Sequence, residues 1–282
     1  MTSLKHYEPF VDECAELFAR RLGEFATAAG KDAAVATIDM RHWFQCYAFD
    51  VIGVVTYAKR MGFLDRGEDV EGIIGALEGQ LSYATLVGIF PRLHRFLFPL
   101  VARVAGSTGT GFNYVISFTE DRIRHARANP KAVPEAAEEG EVAAQSFLDR
   151  FLDQQAANPA KFTAHHVLSG CLSNMVAGSD TTAISLSAVL YYLLKNPQCM
   201  RALRAEVDTY AAESGLSAFP KFAEAQKMPY LQAVIKEALR LHPATGLPLE
   251  RVVPEGGASI CGRFFPEGVR SAPPPWLFFG PG

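Results

Sequence analysis

The longest helical pattern in the sequence runs from about Thr163 to Lys195, and a polar hexapeptide containing glycine lies at its centre. Thr163 is a possible N-cap, and Asn196-Pro197 provides a stop followed by the start of a further helix. The hexapeptide reads Ala177-Gly178-Ser179-Asp180-Thr181-Thr182. Glycine in a helix interior costs about 1 kcal/mol relative to alanine, and Asp, Ser and Thr compete for backbone hydrogen bonds. Such a local violation of helix preferences often marks a functional segment.

The spacing alone leaves two interpretations of this hexapeptide open. In the first, one continuous helix carries the polar residues for a functional reason. In the second, the helix breaks there, and the side chain of Asp180 or Thr181 caps a second helix. Apolar helical sequence on both sides is compatible with either interpretation.

The rest of the chain also shows mainly helical periodicity. Apolar residues recur at spacings of three and four in segments that predict helices over about 8–28, 40–58, 68–86, 110–128, 197–213 and 229–241. After His242-Pro243 the pattern changes to short extended pieces, Leu247–Val253 and Ser259–Phe265. The sequence therefore predicts a mainly α fold with a small β-sheet near the C-terminus. The polar segment 129–141 is too short to establish a domain boundary, so we expect one domain over 1–282.

Composition narrows the class of protein. The formal net charge is −3 and charges of both signs are mixed along the chain, which gives no clustered basic face for nucleic acid. The five cysteines are widely spaced and form no C-x-x-C pair, so neither a disulfide framework nor a structural zinc site is expected. The charged N-terminal residues do not resemble a signal peptide, and no run reaches the ~18 uncharged apolar residues of a membrane-spanning helix. The sequence as printed therefore predicts a soluble, cytoplasmic chain.

Two further segments place charged residues in a suggestive order. Glu237 and Arg240 are three positions apart and share one helix face, where they can form a charge-assisted pair. Arg251 lies in a predicted strand just after a proline, where it can face an anionic group. Taken separately, each has a simpler interpretation, namely a solvated ion pair and a solvent-facing arginine. His165-His166 is interpreted as a helix-start pair rather than a metal site, because adjacent helical residues point in different directions.

The order and mutual spacing of these segments resemble the cytochrome P450 family. The AGSDTT helix centre, the E-x-x-R helix about 55 residues later, the L-H-P turn and the arginine strand occur together, with LLKNPQCMRALRAEVD and MPYLQAVIKEALRLHP around them. The resemblance covers essentially residues 165–270. Towards the N-terminus, FDVIGVVTYAKRMGFL looks like fungal members similar to pisatin demethylase.

The resemblance implies a partial cytochrome P450 fold, from the central helices to the short strands after the E-x-x-R helix, and a set of residues around haem b (iron protoporphyrin IX). It implies that Asp180 and Thr181 relay protons during oxygen activation. The residues that it places around the haem are Ala177, Gly178, Glu237, Arg240 and Arg251. Those that it places against the substrate are Thr245, Gly246, Leu247 and Leu249.

The resemblance also implies the reaction and the partners. One oxygen atom from O2 is expected to enter an apolar organic substrate, by hydroxylation or O-demethylation, with electrons from NADPH through NADPH-cytochrome P450 reductase. For intact members the resemblance implies the endoplasmic reticulum membrane, with the apolar, arginine-containing stretch Ile89–Val104 touching the membrane surface.

The sequence departs from the family pattern at both ends. It contains no F-x-x-G-x-R-x-C-x-G loop for the cysteine that ligates the iron, and no W-x-x-x-R haem contact or membrane anchor near its start. Cys261 is predicted to be a small buried residue within a strand, and Cys171 lies on the helix expected to be distal to the iron, so neither is expected as the axial ligand. From these departures we expect a single partial domain and an inactive fragment. The alternative is a non-catalytic helical protein that binds an apolar molecule or a partner protein.

Overall fold

The computed structural model describes residues 7–29, 37–89, 93–104, 109–129, 145–217, 219–246 and 251–271. Helices dominate the described residues, as the sequence predicts. They are α1 (Glu8–Ala29), α2 (Met40–Tyr57), α3 (Phe63–Arg66), α4 (Ile73–Ile89), α5 (His94–Val104), α6 (Gly109–Ala128), α7 (Phe147–Ala157), α8 (Ala164–Lys195), α9 (Pro197–Ser214), α10 (Phe222–Ala225) and α11 (Pro229–Leu241), with a 3-10 turn at Val70–Gly72. The predicted fold class, mainly α with a small β-sheet, is confirmed.

Four short strands follow the helices. Strand β1 (Arg251–Val252) pairs antiparallel with β4 (Arg270–Ser271), and β2 (Ala258–Ile260) pairs antiparallel with β3 (Arg263–Phe265). The single extended piece predicted over Ser259–Phe265 is therefore wrong, because the chain reverses at Cys261 and Gly262, which have positive φ angles of 50° and 76°. Cys261 is exposed in this turn, so its predicted burial within a strand is also wrong. Of the predicted piece Leu247–Val253, residues 247–250 lie outside the described residues.

Helix α7 is an element that the periodicity analysis did not predict. Its start is fixed by a capping box, in which the Ser146 side chain accepts a hydrogen bond from the backbone N–H of Asp149 and the Asp149 carboxylate accepts one from that of Ser146. Helix α7 packs against α8, and Phe151 of α7 lies so close to Gly170 of α8 that a β-carbon there would stand 2.9 Å from the ring. Glycine at this position lets the two helices approach.

Helices α2 and α8 pack along each other at the centre of the fold. Helix α2 also contacts α1, α3 and α7, which explains why it is apolar around most of its circumference. Phe49 of α2 and Phe63 of α3 are completely buried, with their rings stacked at 4.6 Å between centroids. Burial of each of these two rings stabilises the fold by roughly 1.5–3 kcal/mol.

A buried carboxylate organises the turn after α2. Asp50 is fully buried, and its two oxygens accept hydrogen bonds from four successive backbone N–H groups, those of Met61, Gly62, Phe63 and Leu64, at 2.8–3.3 Å. Burial raises the pKa of Asp50 from its ordinary value, and the four N–H donors act in the opposite direction. The carboxylate thereby satisfies the N–H groups at the start of α3 and holds α3 against α2.

Candidate functional site

Helix α8 runs without a break through the hexapeptide 177–182. Its hydroxyl groups bond backward along the helix, with Ser179 Oγ donating to the Met175 carbonyl at 2.8 Å and Thr181 Oγ1 donating to the Ala177 carbonyl at 2.7 Å. These bonds satisfy the hydroxyls within the helix, so they need no helix end. The interpretation as a helix break capped by Asp180 or Thr181 is therefore wrong, whereas the predicted start of the helix at Thr163 is confirmed by its capping box with His166.

The glycine of the hexapeptide faces α2. A β-carbon at Gly178 would lie 2.8 Å from both Cγ1 and Cδ1 of Ile52, a distance that real β-carbons do not show. Glycine at this position therefore permits the close approach of α2 and α8. Ala177, its neighbour, is exposed on another side of α8, and so is Thr181 one turn later.

Asp180 projects from α8 towards α2 and is buried, with 7% of its surface exposed. Its Oδ1 accepts a hydrogen bond of 2.9 Å from Nε2 of Gln45 on α2, a side chain that is itself 8% exposed. Its Oδ2 is enclosed and has no hydrogen-bond partner among the described residues. Burial raises the pKa of Asp180, and the Gln45 hydrogen bond partly offsets this rise because an N–H donor favours the ionised carboxylate.

A cavity of about 380 Å³ borders Asp180 on the α2 and α4 side of α8. An ion pair between Arg41 of α2 and Glu78 of α4, at 2.5 Å, lies on its wall. The negative charge of Glu78 raises the pKa of Asp180, and the positive charge of Arg41 lowers it. The other lining residues are Gln45, Leu81, Ala183, Ile184, Ser187, Ala188, Tyr191, Tyr192 and His242. The cavity is large enough for several water molecules beside a buried acid.

Asp180 and Thr181 are neighbours in the sequence, but no hydrogen bond joins their side chains in the described part of the protein. The carboxyl points to Gln45, and the hydroxyl is bonded to the carbonyl of Ala177 on the exposed side of α8. A proton passing between them therefore needs a bridging water or a rotation of the Thr181 hydroxyl.

Glu237 and Arg240 form the pair that their spacing predicts. Arg240 donates from Nε and Nη2 to the two Glu237 oxygens, each at 2.7 Å, on α11. The arginine lowers the pKa of Glu237 through these hydrogen bonds. Glu237 has 55% of its side chain exposed, so within the described residues the pair lies at the surface.

The remaining predicted site residues lie after α11. Arg251 is in strand β1, as predicted, and is exposed. Thr245 and Gly246 are exposed in the segment that follows α11, and Leu247 and Leu249 lie outside the described residues. Their predicted roles around a haem and a substrate stay predictions.

None of the cysteines offers a suitable axial ligand for haem. Cys14, Cys46 and Cys171 are fully buried, and burial raises the pKa of each thiol to about 12, which keeps it neutral. Cys199 is half-buried on α9, and Cys261 is the exposed turn residue described above. Across the described ranges, no three His, Cys, Asp or Glu side chains converge into a metal site. The five cysteines thus do not fit the axial ligation of a haem iron, and the placement of α8 beside a haem stays a prediction.

Helix α5 presents an exposed apolar surface. Phe96 is 70% exposed and Phe98 54% exposed, and the Arg95 guanidinium lies 5.6 Å from the Phe96 ring centroid. As the two prolines of this region predict, no single straight helix covers Ile89–Val104, since α4 ends at Ile89 and α5 begins at His94. None of the described helices is long and apolar enough to cross a bilayer.

No sequence pattern pointed to Gln45. It lies 135 positions from Asp180, and a single glutamine within an apolar helix is indistinguishable by pattern from a residue that merely tolerates burial. Only the packing of α2 on α8 brings the amide and the carboxyl together. Arg41 and Glu78 were missed for the same reason, because their pairing depends on how α4 lies beside α2.

Comparison with known proteins gives a consistent result. The family model of cytochrome P450 matches residues 1–278. Pisatin demethylase of Fusarium vanettenii is 36% identical over 285 residues, which cover 99% of this chain and 52% of that protein. A cytochrome P450 monooxygenase of Aspergillus terreus is 34% identical over 280 residues, covering 98% of this chain and 54% of that protein. The cytochrome P450 monooxygenase cicH of Emericella nidulans is 36% identical over 276 residues, covering 98% and 53%.

A solved structure shows the same fold. The crystal structure of the cytochrome P450 CYP102L1 matches with a TM-score of 0.68 and 22% sequence identity, over 96% of this chain and 53% of that one. The chain thus spans about half the length of the relatives that it matches.

Proposed function

Because this chain belongs to the cytochrome P450 family, we propose that the protein is a haem-dependent monooxygenase that inserts one oxygen atom from O2 into an apolar organic substrate. The observation that carries the proposal is α8, which continues as a helix through Ala177-Gly178-Ser179-Asp180-Thr181-Thr182 while burying an acid beside an exposed hydroxyl. Bound haem b supplies the oxygen-activating iron in this chemistry. NADPH supplies the electrons through NADPH-cytochrome P450 reductase.

The residues of this chain have separate roles in the proposal. Ala177 and Thr181 form the face of α8 beside the haem, since they are one turn apart and both exposed. Asp180 holds a proton, and the Thr181 hydroxyl passes it on towards that face. Glu237 and Arg240 brace the C-terminal side of the haem region, and Arg251 meets a haem carboxylate, which suits a guanidinium. The residues proposed to contact the substrate are Thr245, Gly246, Leu247 and Leu249.

We propose that none of the five cysteines described above provides the axial thiolate. Three of them are buried as neutral thiols, and neither Cys199 nor Cys261 lies in a glycine-rich ligand loop. The 282-residue chain expressed alone is therefore expected to lack thiolate-ligated haem and monooxygenase activity. The alternative function is a non-catalytic helical protein that binds an apolar molecule or a partner protein, and it predicts no saturable haem uptake by the complete gene product.

The names of the relatives support a substrate class. The relatives are fungal monooxygenases and a demethylase of pisatin. For this protein we propose hydroxylation or O-demethylation of an apolar molecule in fungal secondary metabolism. In O-demethylation, a methyl ether, O2, NADPH and a proton yield the free hydroxyl compound, formaldehyde, water and NADP+.

We also propose contact with the membrane surface through the stretch Ile89–Val104, at the endoplasmic reticulum. Exposed Phe96 and Phe98 beside Arg95 support it, since aromatic rings next to a basic residue suit the boundary between lipid headgroups and acyl chains. Replacement of both phenylalanines by serine is expected to weaken co-sedimentation with anionic vesicles. Unchanged co-sedimentation would remove this part of the proposal.

The test of the function is the fate of oxygen in two threonine variants. In the protein expressed from its complete reading frame, Thr181→Ala is expected to divert most of the NADPH-driven oxygen consumption to hydrogen peroxide, with product falling roughly 10²-fold or more, as is typical when proton delivery is lost. Formaldehyde release and peroxide are measured on the same aromatic methyl ether. Thr182→Ala is the matched control, because Thr182 is an equally exposed neighbour without a proposed role. Equal effects of the two substitutions would contradict the assignment.

A further inference from the structure

The carboxyl of Asp180 is held asymmetrically. Gln45 donates to Oδ1 at 2.9 Å, while Oδ2 is enclosed and meets no hydrogen-bond partner in the part of the chain that the structure describes. Gln45 is buried as well, so its amide has little access to solvent and this hydrogen bond is costly to lose. An acid in such an environment has one oxygen committed as an acceptor and one oxygen open to a proton.

The charged groups near the carboxyl come from several elements. Helix α2 contributes Arg41 and α4 contributes Glu78, which pair with each other. The titratable side chains that line the same cavity from α8 and from the end of α11 are Tyr191, Tyr192 and His242. Among the residues that line the cavity, Gln45 makes a direct hydrogen bond to Asp180. Its amide does not titrate, so any pH dependence of its effect comes from the carboxyl that it bonds.

We propose that Gln45 is the positioning residue for Asp180: its amide fixes Oδ1 on the α2 side of α8, favours the ionised carboxylate, and leaves Oδ2 as the oxygen that holds the proton in the neutral form. The inference rests on the proton-holding role proposed above for Asp180. An N–H group bonds an unprotonated carboxyl oxygen more readily than a protonated one. Because Gln45 bonds Oδ1, the proton is assigned to Oδ2. The carboxyl takes up one proton at Oδ2 and releases the same proton, and no group is oxidised or reduced.

The test separates coupling to Asp180 from a merely structural role. Gln45→Met keeps the length of the side chain and removes the donor. The free energy of unfolding is measured from pH 3 to 8 for the wild type, for Gln45→Met and for both with Asp180→Asn. The proposal predicts that the loss of unfolding free energy caused by Gln45→Met grows as pH rises, because the ionised carboxylate loses its donor. The titration of Asp180 should shift upward by about one pH unit, which is a tenfold change in its ionisation constant. With Asp180→Asn present, the loss is expected to be independent of pH.

A loss that is the same at every pH in both backgrounds would overturn the proposal. Tyr57→Phe is the matched control, because it also removes one buried hydrogen bond from α2, to Thr119 at 2.7 Å, without touching Asp180. Its loss should not depend on Asp180. If Gln45→Met does not fold, Gln45→Glu decides: a protonated glutamate donates to Asp180 and an ionised one repels it, whereas burial alone raises the pKa of the new carboxyl in either background. This variant should therefore recover more stability in acid with Asp180 present than with Asp180→Asn. Equal acid recovery in the two backgrounds contradicts the coupling.

This experiment needs neither haem nor turnover, so its outcome is distinguishable from that of the proposed function. If Gln45 and Asp180 prove coupled but the complete gene product takes up no haem, the Gln45–Asp180 interaction is retained and the monooxygenase function is rejected. Haem uptake without coupling would reject the role of Gln45 alone. In the active enzyme, Gln45→Met is expected to move the pH profile of product formed per O2 upward by the same amount, about one pH unit.

Discussion

Two buried aspartates on the two central helices are stabilised to very different degrees. Asp50 accepts four backbone N–H groups, whereas Asp180 accepts one side-chain amide and leaves an oxygen without a partner. Burial raises the pKa of both carboxyls. The first arrangement compensates the cost of burying an acid, and the second does so only in part. At the scale of single residues, Asp50 therefore belongs to the fold and Asp180 is available for proton exchange.

This contrast predicts opposite stability effects for the same substitution. Asp50→Asn replaces an acceptor facing the Leu64 N–H by an amide donor, so it should destabilise the protein by about 1–3 kcal/mol at pH 7. Asp180→Asn still accepts from Gln45 and removes a poorly compensated buried charge, so it should change the free energy of unfolding by less than about 1 kcal/mol, or increase it. Denaturant unfolding at constant pH measures both. A larger loss from Asp180→Asn than from Asp50→Asn would contradict this account.

The pH dependence of the Asp180 contribution has a definite sign. Its pKa in the folded protein lies above the ordinary carboxyl value, so the folded state binds the proton more tightly than the unfolded state. The stability linked to this proton is present below the ordinary carboxyl pKa and is lost as pH rises through the raised value. In Asp180→Asn this decline should be absent.

At the scale of elements, the contact between α2 and α8 depends on the absence of a side chain. Gly178 lies against Ile52, and Gly23 lies in α1 with no atom within 4 Å of a β-carbon built there. The two glycines are both in helix interiors and so share the same intrinsic cost relative to alanine. Their surroundings differ, and the surroundings decide the sign of a substitution.

Gly178→Ala is expected to destabilise the protein by about 1–3 kcal/mol, because the methyl group overlaps Ile52 and forces the helices apart. Gly23→Ala should stabilise it by about 0.5–1 kcal/mol. Thermal or denaturant unfolding measures both, and Ile52→Ala should restore part of the Gly178→Ala loss in a double-mutant cycle. A stabilising Gly178→Ala would mean that the two helices do not approach as described.

The sequence patterns predicted elements better than contacts. The periodicity located α1, α2, α6, α8, α9 and α11 to within a few residues, because each has an apolar face or clear end signals such as Asn196-Pro197. It placed the start of α4 too early, since the chain first makes the short α3 and a 3-10 turn at Val70–Gly72. It merged β2 and β3, because the turn at Cys261 has a positive φ angle that a cysteine rarely adopts.

The predicted site was only partly accessible to the sequence. Motif order pointed to Asp180, Thr181, Glu237 and Arg240, and the structure forms the Glu237–Arg240 pair. The sequence did not reveal Gln45, since hydrogen bonds across 135 positions follow from helix packing and carry no local signature. Motifs thus indicate candidate residues, and the fold indicates their hydrogen-bond partners.

At the scale of the whole molecule, the family is shown and the activity is proposed. The family model matches residues 1–278, so the chain belongs to the cytochrome P450 family, and it spans about half the length of the relatives compared. Haem-thiolate monooxygenase activity is the function that we propose for the protein. How the protein ligates iron tests this proposal and is directly measurable.

The most direct measurement is the absorption spectrum of the reduced, carbon monoxide-treated protein expressed from its complete reading frame, with the 282-residue chain alone as the matched comparison. The account predicts saturable haem uptake and the red-shifted Soret band of thiolate ligation for the complete product, and no such band for the 282-residue chain. A folded complete product without saturable haem uptake would contradict the monooxygenase function. A red-shifted band in the 282-residue chain that disappears when one of its five cysteines is replaced by serine would contradict the assignment of those thiols.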